Sequence, residues 1–192
     1  VNYLGHLFFS NDDPNLMYAN LFGDFVKGKE WESMRPEIRY GILLHRKIDN
    51  YIDHHPQVQA LMHTLYDELP KISGIAVDLY FDHLLARNWS DYHPLPLEDF
   101  VEKFFAHPVD RADYPKDEFW FVMDKIHEGD WILNYRFHHG LEFACYGLSR
   151  RISFPNVLHK APTVFLAHEA EIERCFRSFM EDALLFFAKE DS

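Results

Sequence analysis

Two stretches of this chain carry acids and imidazoles at helical spacing on otherwise apolar segments. GILLHRKIDNYIDHH, from Gly41 to His55, places His45, Asp49 and Asp53 four residues apart, and AVDLYFDHLLARNW, from Ala76 to Trp89, holds Asp78, Asp82 and His83. On a helix a four-residue step advances about 40°, so the first three lie on one slowly turning stripe. His83 follows Asp82 by about 100°, near enough to serve one cluster. His6 in NYLGHL and Asp24 in LFGDFVKG add one imidazole and one acid. An ionised carboxylate in an apolar interior is costly unless paired, hydrogen-bonded or bound to a metal. Imidazole and carboxylate without thiolate suit Mn²⁺, Mg²⁺, Fe or Zn²⁺. Such a centre lowers the pKa of a bound water and neutralises a phosphoryl oxygen, which is the chemistry of phosphoester hydrolysis. The bland alternative pairs Asp49 with Arg46 and Asp82 with Arg87. Satisfying the whole set that way demands more buried cations than these helices offer.

The other ionisable groups point less clearly to chemistry. His54, His55, His138 and His139 are expected at helix ends or on solvated faces, and His168 is a further candidate to face the cleft. Cys145 and Cys175 show no CxxC spacing, and Cys145 reads as a core residue. The chain has no GxGxxG, phosphate-binding P-loop, HExxH or GxSxG signature.

The elements that must position these residues read as helices throughout, with no run of alternating strand character. Asp13-Pro14 opens a helix expected to reach about Val26, and Pro36 opens one to about His54. Further helices are expected over Pro56 to about Glu68, Ile72 to Asn88, Leu97 to Ala106, Lys116 to His127, Asp130 to Ile152 and Pro162 to Lys189. The last carries Phe165, Leu166, Ile172, Phe176, Phe179 and Leu184 at roughly helical spacing and reads as scaffold. The expected fold is all-α, one domain over residues 1–192.

Composition agrees. The chain has 192 residues, of which 47% are hydrophobic and 17% aromatic, enough for one substantial core, with the rings expected mostly inside it. No stretch approaches the ~20 apolar residues of a membrane span, and the N-terminal stretch lacks a secretory pattern, so a cytoplasmic protein is expected. A formal net charge of −12 argues against a nucleic-acid partner, which would need a continuous basic face.

Taken in order, NYLGHL, LFGDFVKG, GILLHRKIDNYID, LYFDHLLARNW, WILNY and YGLSRRI resemble the successive motifs of the acyl carrier protein phosphodiesterases across nearly the whole chain. Two departures are Ile52, where the family commonly has Thr before the third acid, and a segment around His127–Gly147 that matches only in part. The resemblance implies an all-helical bundle related to the HD phosphohydrolases. It also implies a divalent ion, typically Mn²⁺ with Mg²⁺ or Fe as alternatives, and hydrolysis of the phosphodiester joining 4′-phosphopantetheine to a serine of acyl carrier protein. A permuted HD order carries Asp24, His45, Asp82 and His83 over as metal ligands. Asp49, Asp53 and His6 then complete a second metal position or orient ligands and water, and Arg46 stabilises phosphoryl charge. Because the implied partner is acidic, a local basic face is needed. Lys27, Lys29, Arg35, Arg39, Arg46 and Lys47 supply one beside the metal helix, unless they are ordinary solvated surface. Arg150 and Arg151 are alternative phosphate contacts. Two other readings stay open: an HD-like phosphohydrolase of a nucleotide or other small phosphoester, and a non-catalytic binding module braced by metal.

Overall fold

In the computed structural model, which describes residues 2–188, the described residues form ten α-helices and no strand. They are α1 (Tyr3–Phe8), α2 (Pro14–Phe22), α3 (Pro36–His54), α4 (Pro56–Thr64), α5 (Ser73–Arg87), α6 (Leu97–Ala106), α7 (Asp117–Glu128), α8 (Trp131–Asn134), α9 (His138–Ser149) and α10 (Ala161–Ala188). The expected end of α10 at Lys189 lies outside the described residues. Among the described residues, no helix is long and apolar enough to cross a membrane.

Prolines set several boundaries. Pro14, Pro36 and Pro56 each occupy a first turn, where the missing N–H costs nothing, and Asp13 caps α2 by accepting from the Asn15 N–H. α2 stops earlier than expected: at Gly23 the chain tightens into a 3₁₀ turn, Gly23–Phe25. The long helix expected from Asp130 to Ile152 is two helices, α8 and α9, joined by a turn at residues 135–137. Gly140 lets that turn close, since a Cβ there would lie 1.9 Å from the Asn134 carbonyl oxygen.

α5 is the central element. Eleven of its fifteen residues are buried, because α1, α4, α9 and α10 all pack against it. α2 lies along α3, whose buried stripe is Ile38, Ile42, His45, Ile48 and Ile52. The rings go largely into the core: Phe81 meets Phe176 and Phe179 of α10, and Phe22 meets Phe119 edge-on. Leu166 and Leu184, expected on the packed face of α10, are exposed, while Phe165, Ile172, Phe176 and Phe179 are buried. Cys145 and Cys175 are buried free thiols, pushed up to about 12 and about 11 by that burial.

Candidate metal centre

His6 of α1 and His45 and Asp49 of α3 converge in the wall of a cleft of about 290 Å³. The two imidazoles stack with centroids 4.1 Å apart and planes 15° from parallel. Both aim Nε2 at the carboxylate of Asp49, His6 at Oδ1 and His45 at Oδ2, each at 3.2 Å. Gly23 makes room for this arrangement, since a Cβ there would sit 2.6 Å from the Cβ of His45. The glycine of the LFGD motif is therefore part of how α2 seats against the His45 ring.

A buried amide fixes the tautomer of His6. Asn20 donates from Nδ2 to the His6 carbonyl and to Ser10 Oγ, which leaves its Oδ1 facing His6 Nδ1 at 2.9 Å. Two acceptors cannot face one another there, so Nδ1 carries the hydrogen and Nε2 presents a lone pair to the cleft. Burial, with His45 adding to it against the pull of Asp49, lowers His6 to about 4 and keeps the ring neutral. Burial tends to raise Asp49, but the contacts to His45 and His6 outweigh it and hold the carboxyl well below the usual range. With Nδ1 donating to Asn20, His6 Nε2 faces the Asp49 carboxylate with a lone pair, an arrangement that a bound cation would satisfy.

The spacing suits a metal. Bonds of ~2.0–2.2 Å place neighbouring donors of a tetrahedral or octahedral sphere roughly 3.0–3.5 Å apart, and both nitrogen–oxygen separations here are 3.2 Å. Hydrogen-bonding a ligating imidazole through its far nitrogen is the usual means of orienting it, and Asn20 does this for His6. Asp24, Asp53 and Asp78 line the same cleft. Burial raises Asp78, and the Asp49 and Asp53 carboxylates add to the effect.

Asp82 and His83 are placed differently from the permuted HD reading. Asp82 is wholly buried and accepts from the backbone N–H groups of Asn2 (3.0 Å), Leu4 (2.8 Å) and Gly5 (3.0 Å). It serves as the acceptor for the start of α1, where the first N–H groups have no partner within the helix. His83 Nδ1 lies 2.6 Å from the Tyr135 carbonyl oxygen, which only a donor nitrogen satisfies. Neither residue lines the cleft. Their contribution is positional: Asp82 ties α5 to the helix that carries His6.

The basic residues are also partly committed elsewhere. The Arg46 guanidinium donates to the carbonyls of Val26 and Gly28, and Arg39 to those of Glu32 and Met34, so both brace the chain between α2 and α3. Arg35 pairs with Asp113, and Lys47 lies over the ring of Phe186. Lys27 and Lys29 are exposed on the loop that Arg46 holds, Lys29 beside Glu32 at 3.8 Å. Neither salt bridge of the bland reading forms: Asp49 faces the imidazoles, and Arg87 pairs with Glu169 and Glu173. His54 contacts the Asn50 carbonyl, His55 pairs with Asp182, His138 with Glu142 and His168 with Glu68, none of them on the cleft.

A family model described as acyl carrier protein phosphodiesterase matches residues 1–183. The chain belongs to that family. An acyl carrier protein phosphodiesterase of Escherichia coli O157:H7 (strain EC4115 / EHEC) is 27% identical over 180 residues, covering 93% of each chain. A protein of the same name from Escherichia coli O139:H28 (strain E24377A / ETEC) is 35% identical over 102 residues, covering 53% of each. No solved structure matches. For this family member, the sequence reading named His45 and Asp49 on α3 and counted Asp78 among the clustered acids without giving it a role, but it missed Asn20. Asn20 carries no chemical signature of its own, whereas Asp78 shares the four-residue spacing of Asp82.

Proposed function

We propose that this protein is a divalent-metal-dependent phosphodiesterase that releases 4′-phosphopantetheine from holo acyl carrier protein. His6, His45 and Asp49 hold the ion, Mn²⁺ by the family's habit and the absence of thiolate. The observation that carries this reading is the convergence of those three groups, with the His6 lone pair directed at an ionised carboxylate, in a chain of the acyl carrier protein phosphodiesterase family.

A divalent ion at this position supplies Lewis acidity for the phosphoryl oxygens and for activation of water. The chain's own groups do the rest. Water forms the new bond to phosphorus and gives up a proton to a cleft acid, Asp24 or Asp53, as the bond from phosphorus to the carrier serine Oγ breaks. The serine oxygen takes a proton from Asp78, the cleft carboxyl that burial makes the better holder of one. The products are apo carrier and 4′-phosphopantetheine, with the proton count unchanged.

Intact-mass spectrometry of holo carrier incubated with the protein and Mn²⁺ tests this directly. Loss of the phosphopantetheinyl mass is expected with Mn²⁺ and not with chelator, and Asp49→Ala is expected to lose at least ~10³-fold in rate while remaining helical. An unchanged carrier mass across several holo carriers, or a fully active Asp49→Ala protein, would reject the proposal.

A further inference from the structure

A second and larger cavity, about 550 Å³, adjoins the metal cleft and shares Asn2 and Tyr3 with it. Its walls come from two sequence motifs that the metal centre leaves unused. WILNY contributes Trp131, Asn134 and Tyr135, and YGLSRRI contributes Gly147, Leu148 and Arg151. The cavity exists because of how α9 is built. Its inward face carries small residues at 140, 144 and 147, and a Cβ added at Gly147 would meet nothing within 4 Å. Tyr3 lines both spaces, with Arg151 in the wall of the cavity and Asp24 in the wall of the cleft.

We infer that this cavity receives the pantetheine arm of the substrate while the phosphoryl group sits in the metal cleft. This rests on the phosphodiesterase reading above. The match is chemical: the arm is uncharged and flexible, alternating short apolar stretches, a gem-dimethyl group among them, with a hydroxyl, two amides and a terminal thiol. The cavity is walled by Trp131, Tyr135 and Leu148 and offers Asn134 and His139 as polar contacts. Its volume lies within the ~300–1,000 Å³ of ordinary small-molecule sites. An arm leaving phosphorus past Tyr3 enters it directly, while the carrier serine departs on the solvent side. Recognition would then rest on the prosthetic group itself, which is common to all carriers, as well as on the carrier's surface.

Isothermal titration with 4′-phosphopantetheine and, separately, inorganic phosphate tests the assignment, using the wild-type protein, Gly147→Leu and Ala144→Leu. Both replacements put side-chain volume into the cavity at helix positions, and circular dichroism establishes that each variant is folded. The wild type is expected to bind 4′-phosphopantetheine at least tenfold more tightly than phosphate, and each folded variant to lose most of that difference. Equal binding of the two ligands by the wild type, or a full difference kept in both variants, would overturn the inference. Carrier turnover is read on the same samples. Turnover without arm-dependent binding retains the phosphodiesterase and rejects the arm site. Arm-dependent binding without turnover retains the arm site and rejects the reaction.

Discussion

Asn20 decides which nitrogen of His6 faces the cleft. Its amide spends Nδ2 on the His6 carbonyl and Ser10, so Oδ1 must accept from His6 Nδ1. Removing it frees the ring to rotate and to take the other tautomer. Asn20→Ala is expected to weaken Mn²⁺ binding by about 10–100-fold and to cost about 1–3 kcal/mol of stability from buried groups left unpaired. Titration with Mn²⁺ and a denaturant melt measure the two effects. Unchanged affinity in a destabilised variant would mean that packing alone holds the imidazole. His45 and Asp49 were legible in the sequence because their partnership is local, one helical turn apart on α3. His6 was visible as an imidazole in an apolar stretch, but Asn20 was not, because an asparagine 14 positions away gains meaning only when α1 and α2 are folded together.

Between elements the same limit reappears with a sharper consequence. A buried acid on an apolar helix such as α5 can be satisfied by a metal or by the N-terminus of another helix, and the residue type does not distinguish them. Asp82 takes the second route, accepting three N–H groups from the beginning of α1, almost 80 residues away in the chain. Helix boundaries set by proline were legible, as at Pro36 and Pro56, because proline acts on its own backbone. The break between α8 and α9 was not, since it depends on the approach of Asn134 to Gly140. Asp82→Ala leaves those amides buried without acceptors and is expected to cost about 3 kcal/mol or more. It should also lower Mn²⁺ occupancy, because α1 carries His6. Asp82→Asn keeps an acceptor oxygen and should retain part of both. Metal content measured on folded protein separates this role from ligation: an Asp82→Ala protein with normal stability and no metal would instead make Asp82 a ligand.

At the scale of the whole molecule the difficulty is charge. The chain carries a formal net charge of −12, and its proposed partner is an acidic carrier, so long-range forces oppose the encounter. Of the six basic residues between Lys27 and Lys47, Arg35 pairs with Asp113, and Arg39 and Arg46 are spent on carbonyls. Lys47 lies over Phe186. That leaves Lys27 and Lys29 exposed on the loop that begins just past Asp24, with Arg46 fastening the loop from beneath. In the proposed reaction, two lysines at the rim of an acidic protein would act locally and steer the final approach of the carrier. The double variant Lys27→Glu, Lys29→Glu is therefore expected to raise KM for holo carrier several-fold, with kcat and Mn²⁺ affinity unchanged, because rim charges govern encounter more than chemistry. Salt gives the second readout. In the wild type, raising ionic strength screens this attraction along with the general repulsion, whereas in the double variant only repulsion remains to be screened. Added salt should therefore improve kcat/KM more in the variant than in the wild type, and an identical salt response in the two proteins would place carrier docking on another face.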